Sequence, residues 1–255
     1  MTELNYLDPN PSGSPVVLLL HGLGADSSSW TLQIPALSQA GFRPLAIDAP
    51  GFGASRYDGR GWTIRRVAAQ TARLLDELGT GPVHVVGLSM GGVIAQQVAL
   101  DFSQLTKKLV LVSTFCVLRP ESINGWAYFL RRAAAVMFLG LEAQAQVVAR
   151  RLFPDPKDEQ VRSMYLAVIR RADPRAYRQA MLALGAFDSR KRLCQINIPT
   201  LVITGEDDTT VSPLRQKLLL EGISGAGQIM IPHAGHAVSI DQAEIFNQAL
   251  LNFLY

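Results

Sequence analysis

Several things are scarce in this chain of 255 residues. There are two cysteines, Cys116 and Cys194. Neither has metal-ligand spacing, and two thiols cannot build a disulfide framework. They suit a reducing compartment and read as free buried thiols, although both flank the middle of the chain, where they could meet. Only four histidines occur, with no zinc pattern, so neither metal nor cofactor is expected. No apolar run nears the roughly 18 residues of a bilayer span. The longest, Ala133–Leu141, is short and follows two arginines. Met1-Thr2-Glu3-Leu4 shows no basic start or long apolar core, so no signal peptide and no membrane contact are expected, and a cytoplasmic protein is inferred. Excess charge is small, +3 from 24 Lys+Arg against 21 Asp+Glu. The arginines come in pairs: Arg65-Arg66, Arg131-Arg132, Arg150-Arg151 and Arg170-Arg171. They are not interleaved with aromatics, so nucleic acid is not an expected partner. A cationic surface near a site entrance would favour acidic substrates.

What is present is a large apolar share, 48%, enough for one well-buried domain. Its most informative stretch is Gly87-Leu88-Ser89-Met90-Gly91-Gly92. An apolar run, Val83–Val86, precedes it and a helix-like run, Val93–Leu100, follows. A serine on a sharp strand-to-helix turn exposes its hydroxyl, as a nucleophile requires. Alone, the motif is a glycine-rich turn that also arises by chance. A nucleophile needs a base, and the base needs a group to orient it. Of the histidines, His21 ends the apolar run Val16–Leu20, and His84 lies inside the strand leading to Ser89, where a satisfied sheet histidine is expected. His233 and His236 follow the strand-like Gln228–Ile231. His236 is favoured, because it closes its loop before a helix that starts near Asp241; His233 reads as a loop residue. The orienting acid lies in Gly205-Glu206-Asp207-Asp208, after the apolar run Thr200–Thr204. Asp208 is preferred and Asp207 is the second choice. Glu206 and Asp207 otherwise read as solvent-facing charge. The chain order is Ser89, Asp208, His236.

With that order in place, the sequence resembles the α/β-hydrolases of the single-domain esterase and lactonase type. The matching pieces are His21-Gly22-Leu23-Gly24, Asp48-Ala49-Pro50-Gly51-Phe52-Gly53-Ala54-Ser55, the Ser89 turn, Gly205–Asp208 and Gly235-His236. They follow the family's order and cover nearly all of the chain except its middle. The resemblance implies an oxyanion hole from the backbone N–H groups of Leu23 and Met90. It implies an α/β fold: a mostly parallel sheet with helices on both faces. Strand and helix runs alternate accordingly. Strands are expected at Val16–His21, Pro44–Asp48, Val83–Gly87, Lys108–Ser113, Thr200–Gly205 and Gln228–Pro232. Helices are expected near Ser28–Ala40, Ile64–Leu78, Gly91–Phe102, Pro213–Glu221 and Ala243–Leu254. The family's N-terminal hairpin looks abbreviated here.

About 80 residues between Phe115 and Ile196 are too many for a loop. They read as helices Ser122–Leu139, Leu141–Leu152, Asp158–Arg171 and Pro174–Leu184. By resemblance they form a helical cap (116–195) inserted into a core made of 1–115 and 196–255. Trp126, Phe129, Met137, Phe138, Phe153, Met164, Tyr165 and Met181 are candidates for packing or for the pocket wall, as is Trp30. The expected activity is hydrolysis of a carboxylic ester of short to medium acyl chain through an acyl-enzyme. An enol-lactone or other lactone is the alternative substrate. Ala237 stands where related carbon–carbon hydrolases carry tryptophan, and Ser89 stands where dehalogenases and epoxide hydrolases carry a carboxylate, so those chemistries are disfavoured. A small-molecule receptor of the same fold, with little turnover, is the reading from another class. The expected partner is a small-molecule ester or lactone.

Overall fold

The computed structural model describes residues 4–118, 134, 140–153 and 156–255. Seven strands form one sheet: β1 (Tyr6–Leu7), β2 (Val16–Leu20), β3 (Arg43–Ile47), β4 (Val83–Leu88), β5 (Thr106–Val112), β6 (Thr200–Gly205) and β7 (Gly227–Ile231). Their order is β1-β3-β2-β4-β5-β6-β7. Only β1 runs antiparallel, pairing Tyr6 with Ile47 and Leu7 with Ala46. Among the described residues it stands where the abbreviated hairpin was expected. The chain turns to one side of β2 to make β3, then returns to the other side to make β4. The crevice between β2 and β4 is therefore the switch point, where open parallel sheets place their ligands.

The central strands are apolar on both faces because both are covered. All five residues of β2 are buried. Leu18 and Leu20 enter one apolar cluster, and Val17 and Leu19 enter the opposite one, as a two-residue repeat requires. On the first face lie α2 (Ile64–Glu77) and α3 (Met90–Asp101); on the second lie α1 (Ile34–Gln39) and α9 (Ala243–Leu254). Helix α2 opens on Thr63, whose hydroxyl accepts from Arg66 N–H, an N-cap that satisfies one orphan donor. Helix α3 is buried nearly all round. Its Gln96 donates to the carbonyls of Gly92 and Phe115 and accepts from the Ser189 hydroxyl.

One expected helix is divided. Over Ser28–Ala40 the chain makes a 3-10 turn at Ser27–Trp30 and then the six-residue α1. Pro35 sits in the first turn of α1. It lacks the N–H that a continuous helix would need there.

Between β5 and β6 the described residues form α4 (Gly140–Leu152), α5 (Glu159–Ile169) and α6 (Pro174–Ala186). The expected helix Ser122–Leu139, with Trp126, Phe129, Met137 and Phe138, lies outside the described residues apart from Ala134. This segment leaves and rejoins the sheet at one place. Val117 and Asp188 form an antiparallel bridge, and Ser189 N–H donates to the Cys116 carbonyl at 3.0 Å. Cys116 is buried and Cys194 exposed, and both thiols are unpaired. Thus only one is the buried thiol expected. After β6 come α7 (Pro213–Gly222) and, following β7, the short α8 (Val238–Asp241). Among the described residues, no helix is long and apolar enough to cross a membrane.

Candidate active site

Ser89 sits between β4 and α3 with φ 52° and ψ −109°. Positive φ is strained for a residue with a side chain. The strain persists because both flanks are fixed: Ser89 N–H bonds the Val112 carbonyl at 2.9 Å, and the Thr114 hydroxyl bonds the Ser89 carbonyl at 2.7 Å. As the N-cap of α3, Ser89 would ordinarily bond its own helix, yet its hydroxyl makes no such bond. The turn also needs close approach. A Cβ on Gly91 would overlap the Leu20 carbonyl, so the N-terminus of α3 lies directly against the end of β2.

His236 and Asp208 come from the ends of β7 and β6. Their loops touch because Gly205 has no side chain: a Cβ there would overlap the carbonyls of Ala234 and Gly235. His236 Nδ1 lies 2.9 Å from Asp208 Oδ2, with both side chains almost fully covered. The other Asp208 oxygen accepts from Thr210 N–H at 2.8 Å and Val211 N–H at 3.1 Å. Burial opposes the charge on this carboxylate. The His236 hydrogen bond and charge and the two N–H donors outweigh it and hold the carboxyl below its usual range. An ionised carboxylate only accepts, so Nδ1 carries the proton, and in the neutral imidazole Nε2 keeps its lone pair. The loop is held from behind by Asp241, which accepts from Gly235 N–H at 2.8 Å. Glu206 and Asp207 are exposed, as is His233.

Residues 17–249 match the alpha/beta hydrolase family. The chain belongs to that family. It is 31% identical to a protein named as a carbamate hydrolase from Variovorax paradoxus, over 98% of this chain and 96% of the other. The enol-lactonase of Burkholderia xenovorans LB400 superposes with a TM-score of 0.89 at 29% identity, covering 99% of this chain and 96% of that one. A bromoperoxidase from Bacillus anthracis gives the same TM-score and identity, with 99% and 95% covered.

In this α/β-hydrolase, Ser89, His236 and Leu23 line one cavity of about 390 Å³, within the ordinary range for small-molecule sites. Met90 is fully buried behind it. A Cβ on Gly22 would stand 3.8 Å from Ser89 Cβ, so the Gly22-Leu23 segment runs beside the serine. Much of the wall is apolar: Leu88, Phe115, Leu118, Leu152, Phe153 and Met181. Phe153, Tyr165 and Met181 thus reach the cavity. Met164 does not line it and is exposed, and Trp30 is a core residue, fully buried beside Phe246 at 6.5 Å between ring centres.

Sequence reasoning left His21 and Asp48 without roles, and the structure shows what they do. Ala49 N–H donates to His21 Nε2 at 3.0 Å, so the protonated Nδ1 donates to the Gly22 carbonyl at 2.8 Å. Burial lowers the His21 pKa and favours this neutral form. Asp48 accepts from Ser27 N–H, Ala54 N–H and the Asn5 amide at 2.7, 2.9 and 2.8 Å. Burial opposes its charge, and those donors outweigh it, leaving the carboxyl below its usual range. Together they fasten the loops after β2 and β3. Tyr165, on α5, ties that assembly to the inserted helices through the Leu23 carbonyl at 3.2 Å.

Proposed function

We propose that the protein is a serine hydrolase that cleaves a carboxylic ester through an acyl-enzyme. One observation carries this reading: a strained serine with an uncommitted hydroxyl shares a cavity with an imidazole whose far nitrogen is bonded to a buried carboxylate. Ser89 Oγ attacks the ester carbonyl while His236 Nε2 takes its proton. Asp208 holds the imidazole tautomer and stabilises the imidazolium. The oxyanion is held by the N–H groups of Leu23 and Met90; the latter opens α3, where N–H groups are unpaired and the helix dipole favours negative charge. His236 returns the proton to the leaving alcohol. Water, activated by the same imidazole, then frees the acid and restores Ser89. Helices α4 to α6 act as the cap, covering the site and excluding bulk water. No metal or cofactor enters these steps.

The names of the relatives differ, so the choice of ester rests on the apolar part of the described wall, Leu88, Phe115, Leu118, Leu152, Phe153 and Met181. Lactone hydrolysis is the second reading, favoured by full-length similarity to an enol-lactonase; it uses the same steps with the leaving alcohol still tethered to the acyl group.

The test is initial rates on p-nitrophenyl esters from acetate to decanoate, plus lactones, for wild type and Ser89→Ala. Turnover of one class that falls by about 10,000-fold or more in the variant supports the reading. Slow or absent turnover, with ligand-dependent capture of a partner, would make the protein a receptor instead.

A further inference from the structure

The loop that carries Leu23, the proposed oxyanion donor, is held from two sides. It is a four-residue turn, closed by Ala25 N–H on the Gly22 carbonyl at 3.2 Å. Gly24, its third residue, has φ 80°, as a type II turn requires. The Gly22 carbonyl and the Leu23 N–H share one planar trans peptide and point opposite ways. The bond from His21 Nδ1 to that carbonyl, at 2.8 Å, therefore sets the direction of the N–H. That hold comes from the core. The next peptide, Leu23–Gly24, is held by an inserted helix: the Tyr165 hydroxyl of α5 donates to the Leu23 carbonyl at 3.2 Å.

Both partners are shaped for this contact. A Cβ on Gly24 would stand 3.1 Å from the Tyr165 hydroxyl and 2.8 Å from Ile169 Cδ1, so α5 is seated directly on the turn. Tyr165 and Ile169 are four residues apart and share one helix face. The Tyr165 ring lines the cavity with Leu23, and the Phe153 ring packs beside it at 6.1 Å between ring centres. Type I and type II turns differ by a half-turn of their middle peptide. Glycine in third place tolerates either form. The turn residues alone thus leave that peptide unfixed, and the Tyr165 bond selects one orientation.

We propose that Tyr165 is a positioning residue for the reaction: by bonding the Leu23 carbonyl it fixes the turn that presents the Leu23 N–H to the oxyanion. This rests on the acyl-transfer reading of the site. Transition-state stabilisation then depends on the seating of α5, so the inserted helices act on the chemistry as well as covering it.

Hydrogen bonds weaken steeply as they bend. Losing an oxyanion donor outright costs about 100- to 1,000-fold in kcat, so a donor that is kept but aimed less sharply loses about tenfold. The experiment compares wild type with Tyr165→Phe, which keeps the ring and removes only the hydroxyl. On p-nitrophenyl butyrate, kcat should fall about tenfold while KM stays within about twofold, the pattern of an interaction made in the transition state. Pentyl trifluoromethyl ketone supplies the second readout. Ser89 Oγ adds to its carbonyl carbon, His236 takes the serine proton, and the carbonyl oxygen becomes an oxyanion. Its inhibition constant should rise by the factor by which kcat/KM falls. The proposal is overturned by an unchanged kcat, by a loss confined to KM, or by a lower kcat with unchanged inhibition by the ketone. A further arm needs no turnover. Hydrogen–deuterium exchange of residues 20–27 should speed up by about threefold or more in the variant, while that of the Ser89 turn does not. Faster exchange upholds the hold on the turn even if no ester is cleaved, a result that would sink the acyl-transfer reading alone. Equal exchange sinks the proposal even if esters are cleaved.

Discussion

At the scale of single residues, the hydrogen-bond direction between Asp208 and His236 decides the chemistry of the proposed mechanism. Asp208→Asn places an amide opposite Nδ1. If the amide donates, the imidazole proton moves to Nε2, which can no longer accept from Ser89. The expected kcat falls by about 10,000-fold, the scale seen when this tautomer is reversed in serine proteases. Thermal melting should change little, since the asparagine carbonyl can still accept from Thr210 and Val211. Asp208 is held below the usual carboxylate range and stays ionised in mild acid. The proposed mechanism needs a neutral imidazole as general base, so a rate unchanged on acidification, with chemistry limiting, would contradict it. Gly91 is constrained by space. Gly91→Ala drives a methyl into the Leu20 carbonyl, and denaturant unfolding should show a loss of about 1–3 kcal/mol or more.

Among the elements, the loops that follow the strands matter most. The segment after β2 both borders the cavity and enters the core. Leu23 faces the cavity, while Trp30, at the end of the 3-10 turn, is fully buried against the sheet and Phe246 of α9. Trp30→Ala should therefore cost about 3–5 kcal/mol of stability. Below its lowered melting temperature, the ester chain-length profile should remain that of the wild type. A changed profile with unchanged melting would place Trp30 in the pocket wall and contradict the structure. The inserted helices are tied to the core by specific polar contacts. Gln179 of α6 accepts from the Tyr57 hydroxyl and Trp62 N–H, both at 2.7 Å, and Asp173 N–H donates to the Gly51 carbonyl at 2.7 Å.

For the whole molecule, the sheet histidine away from the site sets a pH dependence of stability. His84 is buried in β4, with Phe42 edge-on to its ring at 6.1 Å. Burial, with Lys108 and Lys107 nearby, lowers its pKa from 6.5 to about 4. The folded protein then resists a proton that the unfolded chain accepts. Stability is undiminished above pH 6.5, declines as pH falls from there to about 4, and loses at most about 3 kcal/mol from this group. The lowered carboxyls of Asp48 and Asp208 act further toward acid, so the windows separate. Urea unfolding across this range should show a smaller decline in His84→Leu than in wild type.

The buried strands and the helices after them were legible in the sequence because they depend on local patterns. Thr200–Gly205 and Ala243–Leu254 fall where the apolar runs place them, and the other strand boundaries shift by one or two residues. The serine turn was legible because glycines at fixed spacing permit only a sharp bend. Where local signals compete, sequence reading fails: the run Ser28–Ala40 reads as one helix, yet the Asp26 cap starts a 3-10 turn and Pro35 begins a separate helix. Cavity membership was not legible either. Trp30 and Tyr165 look equally suited to a pocket, but which way each faces depends on helices far away in the chain. His21 and Asp48 open two of the matching motif pieces, but their roles were not legible, because partners lie up to 43 residues away. Likewise nothing beside Tyr165 in the chain marks it as a partner of Leu23 until folding seats α5 on the loop after β2. Local pattern sets the strands, turns and candidate reactive groups of this protein, since it acts within a few residues. Which side chains share the cavity is decided only by tertiary packing, which joins residues that the chain itself keeps far apart.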